Sequence, residues 1–400
     1  MNKLMIIKVV ILTLLISFST PLFAKNQLVL WHSWVENKAL WQKIQQEFNT
    51  SHENIELSIQ VFDHEEMKQK IIKSGFQRNT ADILIMPSDW LGYHNVMQFS
   101  AIPQSMLNGD VSDEIIGHTK FEGQIRGIPL FQGNHLLFMY NKSLVKKPAS
   151  TWYELVEDNQ LLQNKNVKTL AVNYSEMFWF VPFMTLFNGF PVEQDKIMLN
   201  TEATVDALKY YKQLSLKKVI DEQCTYQCVS TDFYQGKFAY SMLGAWAYKS
   251  AKLALGDNLG LAPFPTMKGN EFKPMRGNLI LTFPKNALSS FKNKSLLEFS
   301  RFIQQEKYQH LMFEEMGLFP VNANVMAEIK VHLDEDYQLS LAQFQQSRSL
   351  PASTSISAVW NGMYKGFALY MDDEISAEEA AAYMQKSVER EQATLNKKLN

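Results

Sequence analysis

The stretch ADILIMPSDW, residues 81–90, carries an uninterrupted apolar run, residues 83–86, followed by polar and aromatic side chains. A continuous apolar run of this kind predicts a strand in a sheet that is covered on both faces. Upstream, the pattern predicts in chain order a strand at 28–31, a helix at 37–48, a half-buried strand at 55–61 and a helix at 65–74. This β-α-β-α-β order predicts a doubly wound α/β layer.

Downstream, the sequence predicts a second α/β layer. Strands are expected at 136–140, 169–172, 238–242 and 279–283, with helices at 176–186 and, almost continuously, from 294 to 399. Thr151 and Glu154 form a capping box, which predicts the start of a helix. Trp41 and Trp152 fit helix faces and are expected in the core. Because no flexible linker separates the layers, we expect two lobes joined by several short crossings.

Length and composition limit the possible classes of protein. The chain has 400 residues, 46% of them hydrophobic and 20% charged, which is typical of a folded protein of two or three domains. Its net charge of −2 argues against a nucleic-acid partner, because nucleic-acid-binding surfaces are basic. The sequence has no P-loop and no G-x-G-x-x-G motif, so we expect no cofactor.

The first 24 residues have the plan of a secretory signal peptide. Lys3 and Lys8 give a positive start, residues 9–16 are apolar but for Thr13, and the segment ends at the small residue Ala24. The apolar stretch is shorter than the ~20 residues that a membrane-spanning helix needs. We therefore expect cleavage after residue 24 and a periplasmic protein.

Only two cysteines occur, Cys224 and Cys228, in DEQCTYQCVS. In an exported protein, a close pair of this kind predicts a disulfide. The C-x3-C spacing differs from the C-x-x-C of redox enzymes, and no second pair completes a zinc site. Two free thiols are the other interpretation, and no metal site is expected.

The search for catalytic motifs finds no G-x-S-x-G and no H-E-x-x-H. The eight histidines are scattered along the chain, which is more typical of surface or core positions than of a metal site. Asp89 and Glu176, at predicted strand ends, are the two carboxylates that a glycoside hydrolase would need. They serve equally well as hydrogen-bond acceptors in a binding cleft, so we predict no catalytic residue.

Six motifs in a fixed order resemble one family of transport proteins. They are LVLWHSW at 28–34, ADILIMPSDW at 81–90, GIPLFQGNHLLFMYNKSL at 127–144, TWYEL at 151–155, FYQGKFAYSMLGAWA at 233–247 and AVW at 358–360. Together they span nearly the whole chain after residue 24. On these motifs the chain resembles the extracellular solute-binding proteins of ABC importers, most closely the periplasmic maltose/maltodextrin-binding group.

The resemblance implies the two-lobed periplasmic-binding-protein fold, in which two doubly wound α/β lobes are joined by a three-crossing hinge. By matching motifs, lobe one comprises residues 25–131 plus 281–320, and lobe two comprises residues 137–275 plus 326–400. The ligand of this family binds between the lobes. Open α/β sheets bind ligands beyond the carboxyl ends of their strands, where several of the six motifs are expected.

The resemblance also implies which side chains bind the ligand. A sugar ring has an apolar face that aromatic side chains cover, and hydroxyls that polar groups bond. Trp246, Trp360 and Phe178 match the family's stacking aromatics, and we call these three side chains the aromatic floor. Glu176 and Asp89 match carboxylates that bind hydroxyls.

The match departs from the maltose binders in lobe one. Glu36 stands where they have a lysine, Met86 where they have a tryptophan and Trp90 where they have an arginine. Their crossing glutamate falls near residues 132–134, which hold no carboxylate. Glu36, Trp90 and Trp34 remain candidate ligand contacts because they follow predicted strands. The resemblance thus implies a carbohydrate ligand, while these changes argue against maltose itself.

The leading hypothesis is a monomeric substrate-binding component of an ABC importer. It captures a sugar or oligosaccharide and delivers it to the importer's membrane subunits. A binder of a polyamine or an organic phosphate on the same fold is one alternative, because Glu36, Asp89 and Glu176 supply carboxylates for a polyamine. A secreted glycoside hydrolase is the enzyme alternative.

Overall fold

The computed structural model describes residues 25–74, 81–193, 196–349 and 354–399, so the predicted signal peptide lies outside the described residues. The strands are β1 Asn26–His32, β2 Ile55–Val61, β3 Ile83–Pro87, β4 Lys120–Phe121, β5 Gln124–Ile125, β6 Ile128–Gly133, β7 Leu136–Asn141, β8 Lys168–Ala171, β9 Val192–Glu193, β10 Lys196–Ile197, β11 Phe238–Gly244, β12 Leu259–Ala262, β13 Met275–Thr282, β14 Phe319–Pro320 and β15 Arg348–Ser349.

The helices account for most of the chain after β13. They are α1 Lys38–Ser51, α2 His64–Ser74, α3 His94–Met97, α4 Asp113–Gly117, α5 Trp152–Gln163, α6 Met177–Thr185, α7 Glu202–Leu216, α8 Tyr248–Leu255, α9 Asn293–Ile303, α10 Glu306–Met316, α11 Ala323–Val331, α12 Glu335–Gln346, α13 Thr354–Met371 and α14 Ala377–Leu399. Over the described ranges, none of them is both long enough and apolar enough to cross a membrane.

The first sheet has the strand order β14-β6-β13-β3-β1-β2, with β15 paired to β13. Strand β1 runs parallel to both β2 and β3, with Leu30 opposite Ile59 and Ile83. Both connections are helical, so the predicted β-α-β-α-β start is confirmed. Residues 83–87 are buried throughout, as expected for a strand that helices cover on both faces.

Strand β13 makes the first sheet mixed rather than purely parallel, because it runs antiparallel to both β3 and β6. The strand expected at 279–283 begins earlier, at Met275. The early residues belong to the ladder because Met275 and Arg276 pair with β15, and the next two pair with β6. Because those partner strands are distant in sequence, the local apolar pattern does not reveal the first residues of β13.

The second sheet has the order β12-β7-β11-β8. Strands β7 and β11 are antiparallel, whereas β11 and β8 are parallel. Helix α5 begins at the predicted cap: Thr151 Oγ1 accepts a hydrogen bond from the Glu154 amide at 3.2 Å. The Glu154 carboxylate accepts from the Ser150 amide at 2.6 Å, so the return bond of the predicted capping box reaches the residue before the N-cap.

The core holds the two tryptophans predicted for helix faces, since Trp41 and Trp152 are each 1% exposed. Trp152 packs against Phe183 and Phe272, with ring centroids 5.1 and 5.6 Å away. Both tryptophans therefore contribute to packing.

The chain passes between the two sheets more than once. It leaves the first sheet after β6 for β7, and it returns from β12 to β13. Helix α13 packs along α14 and also contacts the 3₁₀ turn Ser88–Tyr93 that follows β3 of the first sheet. A Cβ on Gly366 would lie 2.5 Å from Met384 Cγ, so glycine allows the two helices to approach closely. These crossings bring the ends of both sheets to a common cleft.

The structure joins Cys224 and Cys228 in a disulfide, as predicted, with Cα atoms 5.5 Å apart. Cys224 is 2% exposed, so this end of the loop is anchored in the core. The bond closes a loop of sequence separation 4, which is too short for a large entropic gain.

We predict that the disulfide contributes little to global stability. Cys224→Ser/Cys228→Ser should lower the free energy of unfolding by about 1 to 2 kcal/mol, because the chain-entropy gain is small at this loop length. Chemical denaturation measures this loss, and alkylation of the denatured, unreduced wild-type protein should modify neither cysteine. Labelling of both cysteines would contradict the disulfide.

Candidate ligand-binding cleft

Three short turns, each following a strand, surround the cleft. They are the 3₁₀ turns Val35–Asn37 after β1, Ser88–Tyr93 after β3 and Ala245–Ala247 after β11. The first two belong to the first sheet and the third to the second sheet. This is the location where open α/β sheets bind ligands.

Trp246 is the central aromatic ring on the side of the second sheet. Its indole lies directly against Gly244, where any Cβ would collide with the ring. Phe178 lies 6.3 Å from Trp246 between centroids, and both rings are half-buried. Trp179 stands perpendicular to Trp246 at 6.3 Å and donates its indole N–H to the Met242 carbonyl at 2.7 Å. Glycine and the Trp179 hydrogen bond thus fix the Trp246 ring, leaving part of its surface open.

Trp360, the third member of the aromatic floor, lies on α13 and is half-buried. Its indole N–H donates a hydrogen bond to the Asp89 carboxylate, which belongs to the turn after β3. This bond joins the two sides of the cleft. The structure therefore brings Trp360 and Asp89 into contact, which two residues of one binding site require.

Asp89 lies beside one cation, Lys68 of α2. Burial raises the pKa of Asp89, while the Lys68 charge and the Trp360 hydrogen bond act in the opposite direction. Burial lowers the pKa of Lys68, but Tyr93, Glu65 and Asp89 together raise it above its ordinary value. The Lys68 ammonium lies 3.8 Å from Glu65 Oε1 and 5.0 Å from the Tyr93 ring centroid. Lys68 is therefore charged, and it partly neutralises the carboxylates on this side.

Glu176 precedes α6 at its N-cap position. Its side chain is exposed to solvent. Desolvation by the surrounding protein and the Glu65 charge raise the pKa of Glu176, against Lys68 and the backbone amides of Phe178 and Met177. Because the charges of Glu65 and Lys68 on α2 act on the Glu176 carboxyl, Glu176 faces α2 across the cleft. A carboxylate in this position can accept hydrogen bonds from a bound ligand.

Glu36 contacts the opposite side of the cleft through a tyrosine. The Tyr226 hydroxyl donates to Glu36 Oε1 at 3.1 Å and accepts the Trp246 indole N–H at 3.0 Å. Burial and the Glu36 charge raise the pKa of Tyr226, so its hydroxyl stays neutral and remains a donor. Together with the Trp360–Asp89 bond, these contacts link the two sides of the cleft.

Two predicted contacts, Trp34 and Trp90, lie in the packed interior at 6% and 2% exposure. The Trp34 amide donates to His32 Nδ1 at 3.1 Å, and the Trp90 ring packs on His64 at 4.7 Å. Although the His64 side chain is exposed, desolvation by the surrounding protein lowers its pKa to about 4, so the ring is neutral in this packing. The structure does not bring these two tryptophans to the surface that the other candidates share, and their role as ligand contacts stays a prediction.

Sequence reasoning missed Tyr226, Lys68, Glu65 and Tyr93. Tyr226 stands midway between the two cysteines, which is the one signal that the sequence gives for it. Glu65 and Lys68 are three residues apart on the predicted helix at 65–74, a spacing that places them on one helix face. Across the part of the chain that the structure describes, no cluster of three potential metal ligands occurs.

Comparison with known proteins gives a consistent set of relatives. A maltooligosaccharide ABC transporter solute-binding lipoprotein of Streptococcus pneumoniae is 21% identical over 78% of this chain and 77% of its own length. A maltotriose-binding protein of Pyrococcus abyssi is 20% identical over 84% of this chain and 76% of its own length.

Solved structures share the fold. The maltose/maltodextrin-binding domain MalE of Bdellovibrio bacteriovorus, bound to maltotriose, superposes with a TM-score of 0.85 at 21% identity, covering 92% of this chain and 100% of that chain. The GacH receptor of Streptomyces glaucescens, known unliganded and with acarbose, gives a TM-score of 0.83 at 19% identity, covering 92% and 98%. The predicted two-lobed binding-protein fold is thereby confirmed.

The sequence profile of one family, described as bacterial extracellular solute-binding protein, matches residues 43–338, which is most of the chain. This match agrees with the family that the six sequence motifs resemble. The chain belongs to the bacterial extracellular solute-binding proteins.

Proposed function

We propose that this protein binds an oligosaccharide of the maltooligosaccharide class in the cleft and delivers it to the membrane subunits of an ABC importer. The observation that carries the proposal is the pairing of the aromatic floor with carboxylates in one cleft. Phe178, Trp246 and Trp360 offer partly open ring surfaces, and Asp89 and Glu176 stand within the same site.

This composition suits a sugar for a physical reason. The apolar C–H face of a pyranose packs on aromatic rings, and its hydroxyls donate to carboxylates. The relatives named for maltooligosaccharides and maltotriose, and the structural neighbours with maltotriose and acarbose, support the same ligand class.

The transport role follows from the family. Its members are extracellular solute-binding proteins, and the Streptococcus pneumoniae relative is named as part of an ABC transporter. The chain acts as an exported monomer that loses residues 1–24 in the periplasm. It presents the closed, sugar-filled cleft to the importer and has no catalytic role of its own.

The first experiment is a thermal-shift screen with maltotriose, maltose and the polyamine spermidine. Maltotriose should raise the melting temperature, since a ligand that binds only the folded state stabilises it. A shift with spermidine alone would replace the proposal by polyamine binding, for which Glu36, Asp89 and Glu176 would supply the charge. Release of reducing ends from maltotriose would instead reveal a hydrolase.

The aromatic floor gives the sharpest mutational prediction. Trp246→Ala and Trp360→Ala should each weaken maltotriose binding about 30-fold or more, because truncating a central aromatic anchor commonly costs 2 kcal/mol or more. Calorimetric titration measures the affinity, and a melting curve shows whether each variant is folded.

Trp41→Ala is the matched control, because Trp41 is a fully packed core tryptophan. It should lose about 3 to 5 kcal/mol of stability, while the protein that remains folded keeps its affinity. If the floor variants behave like this control, with stability lost and affinity unchanged, the floor is core packing and the proposal fails.

The raised pKa values of Asp89 and Glu176 predict opposite pH trends for affinity and for stability. An ionised carboxylate accepts sugar hydroxyls, so affinity for maltotriose should fall as pH drops through the raised pKa values, above the ordinary 3.8 and 4.5. A carboxyl with a raised folded-state pKa binds protons more readily in the folded state, so its contribution to stability should increase in the same window.

Calorimetry and urea unfolding across this pH range measure the two trends. Glu176→Gln keeps the shape of the side chain and removes its titration, so its affinity should depend less steeply on pH. It should also lose about 1 to 2 kcal/mol of binding free energy at neutral pH. Equal pH slopes in wild type and variant would remove Glu176 from the site.

Closure of the cleft should accompany binding, because a sugar held by both sides favours the closed arrangement. Small-angle scattering should report a smaller radius of gyration with saturating maltotriose than without it. An unchanged radius at saturation would argue against hinge closure.

A further inference from the structure

The disulfide loop carries Tyr226, whose hydroxyl bonds residues on both sides of the cleft. Its bond joins Cys224 to Cys228, and Tyr226 is the middle residue between them. The Tyr226 hydroxyl bonds Glu36 at 3.1 Å on one side and the Trp246 indole at 3.0 Å on the other. Both hydrogen-bonding roles of this hydroxyl are thus used.

The two ends of the loop are anchored in different ways. Cys224 is buried, and its carbonyl accepts the Tyr174 amide at 2.9 Å, just before the segment that holds Glu176. Cys228 begins the π-helical turn Cys228–Asp232. Ser230 Oγ in that turn donates to the Tyr226 carbonyl at 2.7 Å. The disulfide ties these two anchors together across the tyrosine.

We infer that the Cys224–Cys228 disulfide is a positioning device, which holds the Tyr226 hydroxyl where it links the Trp246 indole to Glu36 across the cleft. A loop this short gains little global stability from its bond, so the benefit is local. Fixing the backbone on both sides of Tyr226 removes the conformational freedom that the two hydrogen bonds would otherwise have to overcome.

We expect that removing the disulfide affects the Trp246–Tyr226–Glu36 link only through Tyr226, apart from the small loss of global stability. Tyr226→Phe deletes the hydroxyl, and Cys224→Ser/Cys228→Ser releases the loop that holds it. If both changes break the same link, their effects on the link cannot add. In readouts of this link, the combined triple variant should therefore match Tyr226→Phe.

The first readout needs no sugar. Hydrogen exchange of the Trp246 indole N–H, followed by NMR, reports directly on its bond to Tyr226. Exchange should become about 2- to 10-fold faster in Tyr226→Phe and in Cys224→Ser/Cys228→Ser, as expected for losing one hydrogen bond. Dithiothreitol converts the disulfide of the wild-type protein to two thiols, and this reduced protein should match the double-serine variant in exchange rate. If the double-serine variant fails to fold, the reduced protein replaces it in the experiment.

Tyr240→Phe is the matched control for a buried tyrosine. It loses the Tyr240 hydroxyl, which donates a hydrogen bond of 2.6 Å to Asp158 Oδ2. Neither of these residues takes part in the Trp246–Tyr226–Glu36 link. It should lower the melting temperature and leave the Trp246 indole exchange unchanged. Unchanged indole exchange in the reduced protein, or a triple variant whose loss equals the sum of the separate losses, would overturn the inference.

The second readout, which rests on the proposed function, is the affinity for maltotriose. Tyr226→Phe, the double-serine variant and the triple variant should each bind more weakly than wild type by a similar factor, about 2- to 10-fold. Wild-type protein that fails to bind maltotriose would remove the proposed function, while the exchange result would still decide the positioning role. Affinity that falls in Tyr226→Phe but not in the double-serine variant would show that the disulfide does not position the tyrosine.

Discussion

Strand β13 is held between β3 and β6 by two antiparallel ladders, and the position of the cleft depends on this placement. The chain reaches β13 directly from the second sheet, so one covalent path crosses the cleft at this point. The same ladder brings Ser88, at the start of the turn that carries Asp89, next to the Asn278 amide at 3.3 Å. The hinge and one wall of the site are thus parts of a single sheet.

The two walls supply different chemistry. The second sheet supports the rings that can cover a sugar face, with Gly244 making room for Trp246. The first sheet supplies Asp89, with Lys68 as its neighbouring cation. Hydrogen bonds from Trp360 to Asp89 and from Tyr226 to Glu36 join the walls. A ligand that bonds these same groups would replace direct contacts between the walls with contacts of its own.

The local sequence pattern predicts the fold well, because the spacing of apolar residues and the uninterrupted apolar runs depend directly on which residues are buried. The parallel start, the cap at Thr151 and the packed Trp41 and Trp152 were all readable from neighbouring residues. The first residues of β13 were not, because their partners lie far away in the chain. The site shows the same division. Family motifs pointed to Trp246, Trp360 and Asp89, whereas Tyr226 becomes recognisable as a site residue only from its contacts with Glu36 and Trp246 in the structure.

The central claim is that the aromatic floor and the facing carboxylates together bind a sugar. A crystal structure of the protein grown with maltotriose tests it most directly. The account predicts glucose rings stacked on Trp246 and Trp360, with hydroxyls within hydrogen-bond distance of Asp89 and Glu176. Maltotriose bound elsewhere on the surface, or in the cleft without touching either tryptophan, would contradict it.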